Sequence, residues 1–392
     1  ILIAFNMGIA VAGVAVISQF LGAGKKQEAR KYGAMLVMIG MVLGLVINAL
    51  VYFLAPTVLH WMGAEGATLT SAVDYLQIRS FEMIPLFVFG AFQAIRQAQG
   101  DTTTPVYLSI ITIIINVVFT GIFVRVYDMG AFGAGLATMM GQVVVAFPAL
   151  ILLFSRKRSL YLERKHLRLE AAPLKTMVKI ATPSAGSQAL SSLGFLVLQA
   201  VILSYGDEVA AAFSNGNKVS NMLLMPVMAL GSVLAAYVGQ NIGAGNSDRA
   251  RKAVKVSRNL ALGISIVGFL VLVPIRTGIV SLLTNDATTQ ELAREYVFWV
   301  LLTQPLMALF QNYLSTFNGS GNTRYAFIMA TVRLWVIRLP MILFMSKLTN
   351  LGASGIWYAM VISNLLILIL GAFLYRKVNF APYAGLTAEK GT

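Results

Sequence analysis

The sequence predicts an all-α polytopic membrane protein built as two pseudo-symmetric six-helix bundles, with eleven of the twelve helices present. Three observations predict it. Of the 392 residues, 58% are hydrophobic and 11% charged, whereas an ordinary soluble domain carries roughly 25% charged residues. Apolar runs of membrane-spanning length follow one another along the whole chain. A stretch near the start recurs 221 positions later.

A transmembrane helix needs about 20 mostly apolar residues to cross a hydrocarbon layer of about 30 Å. Eleven runs meet this requirement, at 1–21, 33–57, 72–98, 104–125, 131–155, 176–205, 209–241, 256–282, 291–318, 325–347 and 353–375. They are hydrophobic all round instead of alternating with period two, which argues against a β-barrel. In lipid, backbone groups must then be satisfied within each segment, so the runs are helices.

The formal charge of +15 is unevenly placed. One set of alternate connections holds Lys25, Lys26, Arg30 and Lys31, then Arg96, then Arg156, Lys157, Arg158, Arg164, Lys165, Arg168, Lys175 and Lys179. It continues with Arg249, Arg251, Lys252, Lys255 and Arg258, then Arg324, and ends with Arg376, Lys377 and Lys390. The opposite set carries Glu65, Asp128, Asp207, Glu208, Asp286 and Glu291. Lys and Arg accumulate on the cytoplasmic side, so the charge is an orientation signal and not a nucleic-acid footprint. It predicts a multi-pass protein of the cytoplasmic (inner) membrane with a cytoplasmic C-terminus and residue 1 on the outer side.

The repeat pairs Gln19–Lys31 with Gln240–Lys252, with seven of thirteen positions identical. Gly100-Asp-Thr pairs with Gly321-Asn-Thr at the same offset, and Gly130-Ala-x-Gly133 with Gly352-Ala-x-Gly355 at one residue more. Collinear matches in loops are not explained by the general likeness of apolar helices. Both copies of the loop fall on one side of the membrane, so the repeat is parallel, a known transporter arrangement. A parallel repeat requires an even number of spans per half, so twelve are expected. Residues 176–221 have no partner in the first half, and the chain opens at Ile1 inside an apolar run. The expectation is that the first helix and part of the second are missing, with no signal peptide. The organisation predicted is an N-terminal bundle at 1–155, a cytoplasmic amphipathic linker at 156–175 and a C-terminal bundle at 176–392.

These loops resemble those of the MATE (multidrug and toxic compound extrusion) family of secondary transporters. The resemblance rests on Gln19-Phe-Leu-Gly-Ala-Gly24, Val238-Gly-Gln-Asn-Ile-Gly-Ala-Gly245, Arg96-Gln-Ala-Gln-Gly-Asp-Thr102, Gly319-Ser-Gly-Asn-Thr-Arg324, Gly130-Ala-Phe-Gly-Ala-Gly135 and Ala181-Thr-Pro183. It implies two six-helix bundles that alternate between inward-open and outward-open states. It also implies export of amphipathic, often cationic compounds in exchange for H⁺ or Na⁺, with no cofactor. A monomer in the bilayer is expected, with a drug-like small molecule and no nucleic acid as partner. The family's Gly-rich loops read as tight turns with helix caps, since no Lys-Ser/Thr follows as in a phosphate-binding loop. The alternative is a flippase for lipid-linked oligosaccharides, which would carry a strongly basic cavity and further C-terminal helices. The short tail after Arg376 favours the antiporter.

Intramembrane polar residues face a cavity or a partner, because lipid exposure is costly. Three helices carry polar stripes at helical spacing: Ser184, Gln188, Ser191 and Gln199; Ser214, Asn217, Lys218 and Asn221; and Gln304, Gln311, Asn312 and Ser315. These are candidates to line a substrate cavity, and interhelical hydrogen bonding is the competing role. Glu82 is the one carboxylate well inside a span. Arg79 lies three residues earlier on the same face, so the two form either an ion-coupling site or a structural pair. Arg333 and Arg338 are further deep cations. Arg338 precedes Pro340 and is expected to satisfy carbonyls freed by that proline, or to reach out to the interface. Pro85, Pro105, Pro183, Pro226, Pro305 and Pro340 mark places where spans can bend.

The family resemblance departs in three places. The coupling Asp of the family's first helix has no counterpart here. The Glu of its seventh helix aligns with Ser191–Ser192, and an acid of its tenth falls near Met307. The absence of cysteine and the presence of only two histidines, His60 and His166, exclude disulfides, thiolate sites and histidine metal clusters. No paired acids or nucleophile–base pair suggests an enzyme.

Overall fold

The structure is a computed structural model that describes residues 2–156, 160–168, 170–348 and 352–382. Three of the orienting charges, Lys157, Arg158 and Lys390, lie outside the described residues. Among the described residues there is no strand. The protein is an all-α, multi-pass membrane protein.

The first compact unit comprises Ile9–Ala181. It contains most of α1 (Leu2–Gly22), then α2 (Lys26–Trp61), α3 (Gly66–Ser80), α4 (Met83–Ala98), α5 (Thr103–Gly121) and α6 (Gly130–Phe154). A π-helical turn, Ile122–Val126, extends α5. The second unit runs from Thr182 and includes Ile3–Gly8. It contains most of α7 (Ala171–Leu203), then α8 (Asp207–Gly243), α9 (Ser247–Leu283), α10 (Ala287–Leu302), α11 (Gln304–Gly319), α12 (Thr323–Thr331), α13 (Leu339–Leu348) and α14 (Gly352–Arg376). A π-helical turn, Val332–Arg338, joins α12 to α13. Ten described helices are long and apolar enough to cross a membrane, or eleven when α10 and α11 are taken as one bent span.

Several helices outrun the apolar runs that revealed them. For example, α9 begins at Ser247, so Arg249, Arg251, Lys252, Lys255 and Arg258 sit on helix and not in a loop. Apolar length measures only the lipid-buried part, and a helix continues into water when its next turns are good helix formers.

Two expected single helices are interrupted. The run at 72–98 is α3 followed by α4, with Phe81 and Glu82 between them. The run at 291–318 is α10 followed by α11, bent by 47° at Thr303. Each break lies just upstream of a proline, Pro85 or Pro305. A proline ring clashes with the carbonyl four residues before it, here that of Phe81 or Leu301. Glu82 and Thr303 are separated by the repeat offset of 221, so the two halves share the break.

The repeated loops are helix-ending turns, as their glycines suggested. Gly24 and Gly245 have φ of 75° and 77°, a left-handed region that glycine enters without a Cβ penalty. Lys25 N donates to Phe20 O at 3.0 Å and Gly24 N to Leu21 O at 3.1 Å. The second copy repeats both bonds, Asn246 N to Asn241 O at 2.8 Å and Gly245 N to Ile242 O at 2.9 Å. This bond pair is the Schellman closure of a helix.

Small residues bring the helices of each unit together, as expected where lipid provides no hydrophobic drive. In the first unit Gly40 and Gly44 of α2 lie against the α4 backbone. A Cβ at Gly44 would sit 2.9 Å from Ile84 Cα. In the second, Gly319 of α11 lies directly on the α8 backbone at Ala235.

Among its described residues the connector after α6 is irregular apart from one 3₁₀ turn, Arg164–His166. Leu160 and Leu162 are buried, and Glu163 accepts from Arg30 Nη1 at 3.1 Å, whose guanidinium lies 3.9 Å from the Tyr161 ring centroid. Lys31 adds an ion pair to Glu170 at 2.6 Å. These contacts draw the connector and the first turns of α7 into the first unit, and the units divide between Ala181 and Thr182, six residues beyond the position 176 read from hydropathy. Arg96, expected in a connection, is buried and donates to Leu152 O of α6 at 2.9 Å.

Asp286 caps α10, accepting from Thr289 N at 2.7 Å. Bonds from the Thr289 side chain and backbone hold its carboxyl below the usual value. A lowered folded-state pKa contributes stability above the unfolded pKa that is lost as pH falls through the folded one. Asp286→Ala should therefore lower the thermal midpoint above about pH 4, with the difference closing in more acidic buffer. A constant difference across a pH series of melting curves would contradict this role.

Candidate functional site

The α10–α11 break opens the interior of the second unit. Asn217 and Asn221, one turn apart on α8, face it together with Ser220. Tyr296 donates to Asn217 Oδ1 at 2.9 Å, and Gln304 Nε2 donates to Ser220 Oγ at 2.6 Å. These groups line a cavity of about 90 Å³ with Thr303, Arg333, Arg338, Trp357 and Asn364. Tyr296 packs against both Phe213 and Trp357, with ring centroids at 5.3 Å and 4.2 Å, and those two rings stack on each other at 6.4 Å. This aromatic stack is buried and forms an apolar wall behind the polar groups. Drug-sized pockets run from about 300 Å³ upward, so the cavity has room for a functional group or a few waters and not for a whole drug.

Both arginines come from the π-helical turn 332–338, a geometry that often marks functional sites. Arg338 is 3% exposed. It neither satisfies carbonyls freed by Pro340 nor reaches an interface. Its Nε donates to Ser363 Oγ at 3.0 Å and its Nη2 to Asn364 Oδ1 at 2.7 Å, both on α14. Arg333 lies over the Phe310 ring, 4.1 Å from the centroid, and Nη1 contacts Met307 Sδ at 3.0 Å.

The first unit holds the carboxylate. Glu82 lies at the α3–α4 break, in the middle of the Gly66–Ala98 span. Its burial leaves 5% exposed. Arg79 Nε and Nη2 both donate to Glu82 Oε2, at 3.0 Å and 2.8 Å, and Nη1 donates to Tyr75 OH at 3.0 Å. The neighbouring Ser80 donates to Gln77 O and accepts from Asn48 Nδ2, which ties the broken turn to α2. At the corresponding break of the second unit the residue is Thr303, so the acid belongs to one half alone.

The remaining candidates are dispersed. Gln188 of α7 donates to Met7 Sδ at 2.8 Å, and Ser191 closes on Ser187 O of its own helix. Lys218 donates to Asn215 Oδ1 at 3.2 Å. Asn312 is buried and turned toward Val254 O, while Gln311 is half-buried outside the cavity. Of the named residues, Asn217, Asn221 and Gln304 meet in the cavity, and Arg79 meets Glu82. Sequence reasoning missed Tyr296, Thr303, Trp357 and Asn364 as cavity residues. The signal for Thr303 was Pro305, and that for Asn364 was a polar side chain within a span; Tyr296 and Trp357 carry none, because aromatic residues are common in any span.

Among the described residues no three His, Asp or Glu side chains come together. A cation at Glu82 would therefore rest on one carboxylate with hydroxyl or backbone oxygens.

The family model named MatE matches residues 1–122 and 183–344. A probable multidrug resistance protein, NorM of Streptococcus pneumoniae (strain ATCC BAA-255 / R6), is 26% identical over 378 residues, covering 95% of this chain and 82% of that protein. The probable multidrug resistance protein YoeA of Bacillus subtilis (strain 168) is 23% identical, covering 96% and 84%. Among solved structures, the outward-facing conformation of a multidrug resistance MATE family transporter of the MOP superfamily superposes with a TM-score of 0.91 at 20% identity. The match covers 98% of this chain and 86% of that one. A MOP superfamily transporter from Pyrococcus furiosus, described as having a binding pocket of reverse polarity, gives 0.90 at 19% identity with the same coverage. The family match spans most of the chain and agrees with the fold, so the protein belongs to the MatE family of membrane transporters and is not an enzyme.

Proposed function

We propose that the protein exports amphipathic, drug-like compounds, cationic ones included, in exchange for H⁺ or Na⁺. Membership of the MatE family carries this reading, and relatives described as probable multidrug resistance proteins support the substrate class. Alternating access to the two sides of the membrane accounts for exchange. The distribution of Lys and Arg supports a cytoplasmic C-terminus in the cell membrane.

Within this scheme Glu82 is the coupling group. An intramembrane carboxylate exists in two states of different cost, charged or neutralised. Its Arg79 partner balances the charged form, and arrival of H⁺ or Na⁺ competes with that partner. The helix break places the pair at mid-span, where such competition can be transmitted to helix packing.

Reconstituted protein should drive ethidium or norfloxacin efflux from liposomes when a Na⁺ or a pH gradient is imposed, each varied separately. Efflux that responds to neither gradient would remove the antiporter reading.

A further inference from the structure

The cavity of the second unit contains two positive charges and no negative one. Arg333 lies ten residues into the Thr323–Met345 span, about 15 Å from its start at 1.5 Å per residue. A charged side chain at such depth is expensive and is normally paired. Neither guanidinium has a carboxylate partner among the described residues. Glu295, which precedes Tyr296 in the chain, accepts from Ser354 Oγ at 2.8 Å and does not line the cavity. Lys218 on α8 adds positive charge to the same unit.

The hydrogen bonds point the same way. Arg338 spends its donors on neutral Ser363 and Asn364. Buried Arg333 Nε and Trp357 Nε1 have no hydrogen-bond acceptor, and both residues line the cavity. A buried donor without an acceptor is unfavourable; Arg276 and Arg294 also leave Nε without one, but here two such donors, from different residue types, border one cavity. A cation is disfavoured here by charge, and water alone would leave both guanidiniums uncompensated.

We propose that this cavity binds a small monovalent anionic group, of which a carboxylate is the best fit. Arginine presents a planar fork of donors matched to two carboxylate oxygens, and about 90 Å³ admits such a group. The anion would accept from Arg333 and from the indole of Trp357, and it would neutralise part of the buried charge. The chemistry is shared by two sources, the carboxylate of a zwitterionic substrate and a free small anion. Only the choice between these sources rests on the export reading; anion binding does not.

The test uses purified full chain in lipid nanodiscs, with the melting midpoint followed by intrinsic fluorescence. Sodium acetate is titrated at constant Na⁺ and ionic strength against sodium para-toluenesulfonate, whose ring exceeds the cavity. A ligand that binds only the folded state raises the midpoint in proportion to the logarithm of its saturation. Acetate should raise the midpoint of the native sequence, and Arg333→Gln should weaken that response by about tenfold or more, as expected for a lost charge-assisted bond. Arg333→Lys, which keeps charge without the fork, should give an intermediate response. It also serves if Arg333→Gln does not fold. Arg276→Gln, remote from the cavity, should respond like the native chain. Loss of the acetate response in saturating norfloxacin, which bears a carboxylate, but not in ethidium, which has none, assigns the site to substrate. Retention in both assigns it to a free anion. The proposal is overturned if acetate and para-toluenesulfonate act alike on the native chain, or if the acetate response is unchanged in both Arg333 variants.

Discussion

Replacing Gly319 by alanine should lower the melting midpoint of the purified protein more than the same change at Gly44, Gly263 or Gly278. A Cβ at Gly319 would overlap the carbonyl oxygen of Ala235 and lie 2.7 Å from its Cα. Those atoms belong to the α8 backbone, which cannot rotate aside as a side chain can. Relief requires α8 and α11 to move apart, and both helices carry cavity residues. Overpacking of this kind costs about 1–3 kcal/mol and occasionally more, which for a unit of this size is about 2–12 °C. Gly44→Ala should follow with a smaller loss, because its nearest backbone atom, Ile84 Cα, is 2.9 Å away. Gly263 and Gly278 of α9 have nothing within 4 Å of an added Cβ. Alanine there should be neutral, or should stabilise by up to about 1 kcal/mol through helix propensity. The order of the four melting points is the result to check, and a Gly319→Ala midpoint equal to that of Gly263→Ala would show that the α8–α11 contact is looser than these distances imply.

Replacing Glu82 by glutamine should reduce gradient-driven efflux to the passive level while the protein still inserts and folds. Glutamine keeps an oxygen for Arg79 to donate to but cannot hold a negative charge or exchange a proton. The stability loss should be about 1–2 kcal/mol, below the full value for a charge-assisted bond, because the Arg79 side chain is 34% exposed and water screens the pair. Arg79→Gln combined with Glu82→Gln separates the two roles of the pair. If Glu82 couples an ion, the double variant remains inactive although its melting point partly recovers. Recovery of both melting point and gradient-driven efflux would make the pair structural only.

The fold was legible because its dominant physics is transfer into lipid, which depends on apolar length and little else. The turns at Gly24 and Gly245 were legible because a left-handed turn nearly demands glycine. The two breaks were not located, since hydropathy averages over about twenty residues and a proline acts on a carbonyl four residues before it. Pro85 and Pro305 mark the cause, but Glu82 and Thr303 bear the effect. The polar stripe on α8 pointed to the cavity, whereas the α7 stripe did not reach it: Ser191 satisfies itself on its own helix. Arg338 shows the remaining limit. Its partners Ser363 and Asn364 are a helix away, and no spacing along the chain relates them.

The inequality between the two halves has an electrical consequence. Inside the membrane the break of the first unit carries a pair whose charges cancel, Arg79 with Glu82, while the cavity of the second is lined by two guanidiniums and no acid. An electric potential exerts no net force on a neutral pair, yet it acts fully on an unbalanced charge, with about 2.3 kcal/mol available per elementary charge carried through 100 mV. Membrane voltage therefore acts on the cavity of the second half and not on the pair of the first, and a monovalent anion seated in that cavity would halve the charge of its two guanidiniums.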